Sequence, residues 1–160
     1  MDKRLKPALA ACLMTLCMVL GAPAQAIGLI TGDPDAVENI ASGYGSTQME
    51  TDNEGDPMIT GRIKGIQYVI YFYGCNDKGK KCQELILTAG WSDVPVSLEK
   101  INEWNRTMKF GKAYLDADND PTIEMAINLD GGGITTGNFD ETFKWWSRTL
   151  GEFESEVIGK

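Results

Sequence analysis

An α+β fold, an antiparallel sheet packed by helices in the order α-ββββ-α-ββ-α, is predicted by three features of the sequence. Short β-rich runs alternate with polar turn clusters between Thr47 and Leu129. A helix start with proline in its first turn, Asp33-Pro34, stands before them. An apolar stripe at helical spacing follows them, through Phe139, Phe143, Trp146, Leu150, Phe153 and Val157. Hydrophobic residues make up 42% of the 160-residue chain, enough to fill the core such a fold needs.

The amino terminus reads as an address. Lys3, Arg4 and Lys6 form a basic front, Ala8–Leu20 is an apolar run, and Gly21 and Pro23 break it ahead of Ala24-Gln25-Ala26. This is the pattern of a secretory signal over residues 1–26 with cleavage after Ala26. The apolar run has 13 residues, short of the ~20 that a spanning helix requires, so no stable membrane span is expected after cleavage. Residues 27–160 are then one domain, in the periplasm or secreted. They carry 12 Lys and Arg against 22 Asp and Glu, a net charge of -10.

Within that domain, the first helix runs from Pro34 to about Ser42 and stops at Gly43 and Gly45. Strands follow at Thr47–Thr51, Met58–Lys64, Ile66–Tyr73 and Glu84–Thr88. Cys75 and Cys82 flank the turn-rich segment between the last two. In an exported chain, an even count at facing strand ends favours a disulfide over a redox pair, because the spacing is not C-x-x-C. Ser97 caps a helix over Leu98–Asn105, and two strands, Lys109–Leu115 and Thr122–Leu129, are joined through Asp116–Pro121. The final helix opens at Asn138 or Asp140 and runs to about Ile158. Trp145 lies off its stripe, and an aromatic patch around Trp91 or Trp145 would mark a protein contact.

Composition excludes several kinds of chemistry. A chain with net charge -8 lacks the clustered cations that bind nucleic acid. Histidine is absent, so there is no Ser-His-Asp triad, Cys-His pair or histidine metal site. Asp116, Asp118 and Asp120 resemble the start of a calcium loop, but Pro121 stands where glycine is needed and Ile127 where the bidentate glutamate belongs. They remain weak cation candidates on a solvated turn, with no metal assigned. Gly131-Gly132-Gly133 reads as a backbone bend, since no Gly-Lys-Ser/Thr follows and Thr136 takes the third glycine's place of a dinucleotide loop.

The stretch from Phe72 to Ile158 resembles the YbjN-domain family, labelled as bacterial sensory transduction regulators. The residues that carry the likeness are Tyr73-Gly74-Cys75 with Cys82, the helix bearing Asn102, Trp104 and Asn105, then Phe110 and Ala113–Asp116. The Asp118-Asn119-Asp120-Pro121 turn and Gly132-Gly133 complete it. The resemblance implies a fold similar to type III secretion chaperones, a compact α+β domain that often dimerises, and brings no catalytic residues. Leu98, Ile101 and Asn105 share a helix face, which predicts that Trp104 and a buried Asn105 pack and hydrogen-bond where helix meets strand. The function expected is that of a non-enzymatic, cofactor-free module of the cell envelope that binds a protein or peptide, with a homodimer possible. The alternative is a periplasmic protein that binds a small molecule or a cation.

Overall fold

The computed structural model describes residues 28–160, so the leader lies outside the described residues. Its elements are β1 (Leu29–Ile30), α1 (Pro34–Ala41), β2 (Ser46–Thr51), β3 (Pro57–Ile63), β4 (Ile66–Tyr73), β5 (Glu84–Gly90) and α2 (Leu98–Thr107). They continue with β6 (Lys112–Leu115), β7 (Pro121–Asn128), β8 (Ile134–Thr135) and α3 (Thr136–Phe153), which ends in a π-helical turn over Glu154–Ile158. The protein is thus α+β, with six antiparallel strands in the order β2-β3-β4-β5-β7-β6 and a separate pair β1-β8.

Alternation along the strands decides which face is covered. In β4, Ile66, Tyr68, Ile70 and Phe72 are buried, and Ile59, Leu85, Leu87 and Ile123 join them through the register. All three helices pack on that face. α1 contributes Val37 and Ala41, α2 contributes Ile101 and Trp104, and α3 lays down the whole stripe from Phe139 to Phe153 with Val157 beyond it. No helix covers the opposite face among the described residues.

Caps explain the helix ends. Asp33 accepts the Asp35 amide ahead of Pro34, and Ser97 accepts that of Lys100. The last helix starts earlier than Asn138 because Thr135 is its cap, with its hydroxyl accepting the Asn138 amide at 3.1 Å. The strand placed at Lys109 begins only at Lys112, since Gly111 has φ +80° and breaks the extended path. The bend at Gly131-Gly132-Gly133 is real: φ is +80°, +114° and +84°. It returns the chain so that Ile134–Thr135 pairs with Leu29–Ile30.

Cys75 and Cys82 are disulfide-bonded, with Cα atoms 3.8 Å apart. The loop they close is tied to the start of α1. The Cys82 amide donates to the Gly32 carbonyl at 3.0 Å, and the Lys80 ammonium reaches Asp33 at 3.0 Å and Asp35 at 3.1 Å. These ion pairs are exposed and contribute little alone. Closing a seven-residue separation restricts the unfolded chain by about 2.5 kcal/mol. Reduction is therefore expected to lower the unfolding free energy by that amount, and the denaturant midpoint with it, while leaving the folded baseline of circular dichroism intact. An unchanged midpoint in reductant would refute the constraint.

Candidate functional site

The residues singled out between α2 and β6 form one clamp. The Trp104 indole N–H donates to the Gly111 carbonyl at 3.1 Å. The Asn105 amide brackets a single residue: its Nδ2 donates to the Ala113 carbonyl, and its Oδ1 accepts the Ala113 N–H, both at 2.9 Å. β6 is an edge strand, so an inner neighbour occupies only one of its sides. Asn105 acts as a one-residue strand on the other side and closes the edge to further pairing. Contrary to the sequence reading, Asn105 is exposed, and so are Leu98 and Asn102 on the same helix. The buried members are Ile101 and Trp104, and Trp104 stands edge-on to Phe153 at 5.0 Å.

Replacing Asn105 with alanine removes two hydrogen bonds, each contributing roughly 0.5–1.5 kcal/mol. The expected loss is about 1–3 kcal/mol in chemical unfolding, with concentration-dependent association through the uncovered edge. Asn105→Asp should rescue neither effect, because a carboxylate cannot donate to the Ala113 carbonyl. Recovery with aspartate would show that the bracket is unimportant.

Phe110 leaves this clamp pointing outward and meets Trp145 of α3. Their ring centroids are 4.0 Å apart and nearly perpendicular, yet Phe110 is 42% exposed and Trp145 47%. The two rings form a ridge with an open depression on each side. One, about 450 Å³, is bounded by Met125, Asn138, Glu141 and Thr142, and the other, about 550 Å³, by Met108, Lys109, Arg148 and Glu152. Most charges beside the ridge are paired with one another. Lys144 bonds Glu141 at 2.5 Å and Asp140 at 3.3 Å, and Arg148 bonds Glu152 at 2.6 Å. The pKa of each cation is pushed up, chiefly by its bond to Glu141 or Glu152. What the ridge offers a partner is therefore apolar area more than net charge. Trp91, the other aromatic candidate, is buried against Phe153 at 5.2 Å and offers no surface.

The same helix is braced from the turn after α1. The Tyr44 hydroxyl donates to Asp140 Oδ1 at 2.7 Å. Partial burial, reinforced by that carboxylate, pushes the Tyr44 pKa up to about 12, and the bond holds Asp140 below the usual carboxylate range.

Two of the three aspartates of the calcium-like turn accept backbone amides. Asp116 Oδ1 accepts the amides of Asp118 and Asp120, and Asp120 Oδ1 accepts that of Asp93, all at 2.9 Å. No group of three acids, cysteines or histidines is placed to hold a metal among the described residues. Instead the turn is one of three copies of a single design. Asp52 accepts the amides of Glu54 and Asp56, and Asn76 accepts those of Lys78 and Lys80, in the same way. The fourth residue of each loop has positive φ: Gly55 at +94°, Gly79 at +65° and Asn119 at +65°. The shared pattern, Asp or Asn followed three places later by Gly or Asn, was visible in the sequence. It describes turns and not ion binding.

The comparison with known proteins falls on these same elements. The sequence model of the YbjN family, described as putative bacterial sensory transduction regulator, matches residues 33–159. The chain belongs to the YbjN family. That span runs from the cap of α1 to the end of the π-helical turn and takes in the six-stranded sheet, the disulfide, the Trp104–Asn105 clamp and the aromatic ridge. The family description is of a regulator and names no catalytic activity. No curated protein matches the chain. Among the described residues, no helix is long and apolar enough to cross a membrane.

Proposed function

We propose that this YbjN-family chain is an exported, non-enzymatic regulatory module of the cell envelope that binds a protein or peptide across the Phe110–Trp145 ridge. The observation that carries this reading is the exposure of two large aromatic rings, packed on each other from different elements and flanked by open depressions. Aromatic side chains that leave such an area in water are anchors for protein contacts. Their mutual packing, in turn, limits the entropy lost on docking. The signal-like leader and the Cys75–Cys82 disulfide support a place outside the cytoplasm.

The test is proximity cross-linking in living cells, followed by mass spectrometry of both bait and prey. The bait is expected to begin at Ile27. Phe110→Ser and Trp145→Ser are each expected to cut recovery of a specific envelope partner by at least about tenfold, equivalent to about 1.4 kcal/mol. Their melting temperatures should change little, because both side chains are already half in solvent. A partner retained equally by the double variant, or an intact leader on cytoplasmic protein, would defeat the proposal.

A further inference from the structure

The helix-free face of the sheet has a composition that a solvated face does not require. The register lines up Glu50, Met58, Tyr71, Ile86 and Ala126 directly across five strands. The next row on the same face places Val69 between Thr60 and Thr88. Met58, Val69, Tyr71 and Ile86 are half-buried by their neighbours alone. Met58, Tyr71 and Ile86 stand on adjacent strands, so they span about 10 Å, the width of one α-helix.

Carboxylates bound this strip. Glu50 ends the apolar row, Glu84 sits beside Tyr73 in the row beyond, and the Asp52–Asp56 loop continues from β2. Glu124 is engaged by Lys112 at 2.5 Å on the far side. The Tyr73 hydroxyl registers the same field: burial raises its pKa first, and Tyr71 with the carboxylates of Asp52, Glu54 and Glu124 raises it further. Arg62, the cation of this face nearest β2, is turned onto the Gly65 carbonyl and Gln67.

We infer that this open face is a second docking surface, taking a cationic amphipathic helix of another protein, its apolar stripe on Met58, Val69, Tyr71 and Ile86 and its Lys or Arg residues on Glu50 and Glu84. Charge selects this occupant. A second copy of the chain would bring Glu50 and Glu84 against their own kind, and an anionic lipid surface or nucleic acid would be repelled in the same way. Such a helix would complete a three-layer arrangement with the sheet in the middle. This surface lies on the side of the sheet opposite the aromatic ridge and does not depend on the function proposed for that ridge.

The test uses a fluorescent Leu/Lys peptide patterned with helical period, titrated with the folded protein and followed by anisotropy. Saturable binding is expected that weakens as salt rises. A scrambled peptide of the same composition and a Leu/Glu version should bind at least about tenfold more weakly. Ile86→Lys and the charge-reversal variant Glu50→Lys/Glu84→Lys should each lose about tenfold, whereas Phe110→Ser/Trp145→Ser should bind normally. Melting curves identify any variant that fails to fold, and the double charge reversal keeps the test decisive if Ile86→Lys does. Equal binding of the scrambled peptide, indifference to charge reversal, loss with the ridge variants, absence of binding, or a dimer abolished by Ile86→Lys would each overturn the inference.

Discussion

Phe153→Ala is expected to lower the unfolding free energy by about 3–5 kcal/mol, the range for emptying a fully enclosed aromatic site. Phe153 is wholly buried and joins three parts of the chain. Trp104 of α2 packs edge-on to it at 5.0 Å, and Trp91 of the segment after β5 lies at 5.2 Å. Each such pair contributes about 0.5–1.5 kcal/mol beyond area burial. Phe153 also ends α3, where the helix passes into its π-helical turn, so the site has little freedom to collapse around a cavity. Equilibrium denaturation followed by tryptophan fluorescence reads the effect directly. A loss below about 1.5 kcal/mol would mean that the two indoles close over the gap.

The second large effect is expected at Gly111. Its φ of +80° is costly for any residue with a side chain, and an added Cβ would sit 2.7 Å from the Ile123 Cδ1 and 2.9 Å from the Thr149 Cγ2. Backbone strain of roughly 1–2 kcal/mol and overpacking of about 1–3 kcal/mol therefore act together, for an expected loss of about 2–5 kcal/mol in Gly111→Ala. Gly131→Ala is the control: it has the same φ of +80° but open space around the added carbon. It should show the strain alone. Equal losses in the two variants would show that the contacts of Gly111 are soft. A further consequence separates the two sites. The Gly111 carbonyl receives the Trp104 indole N–H, so Gly111→Ala should loosen the clamp and speed hydrogen exchange in β6, whereas Gly131→Ala should not.

The candidate surfaces were legible to different degrees. Trp145 stood out because it is adjacent to Trp146 on a helix whose stripe accounts for only one of them; Trp146 is buried and Trp145 is not. Phe110 entered through the family pattern, yet nothing local indicates that it meets a residue of α3. The prediction that Trp104 and Asn105 hydrogen-bond at the helix–strand junction holds, and the burial assigned to Asn105 does not. A side chain that brackets an edge strand works at the surface, so pairing and burial part company there. The open face of the sheet was missed because alternation marks β4 as two-sided without saying which side the helices take. Only the register aligns Met58, Tyr71 and Ile86 across three strands.

By itself the sequence determined what depends on neighbours close along the chain: the caps of the first two helices, the strand periods, the α3 stripe, the glycine bend and the cysteine pairing across one short loop. Tertiary structure decided the rest. β1 and β8 are two residues each, too short to carry any period, and exist because Gly131–Gly133 fold one onto the other. Three loops that look acidic or basic by composition turned out to share one hydrogen-bonded design, in which the first side chain, Asp52, Asn76 or Asp116, accepts two backbone amides. Which aromatics stayed in water was settled by how the α2–β6 clamp meets α3, a contact between residues distant in sequence. Local preference is written into a few adjacent side chains, whereas the choice of partner is made by packing, which no single segment encodes.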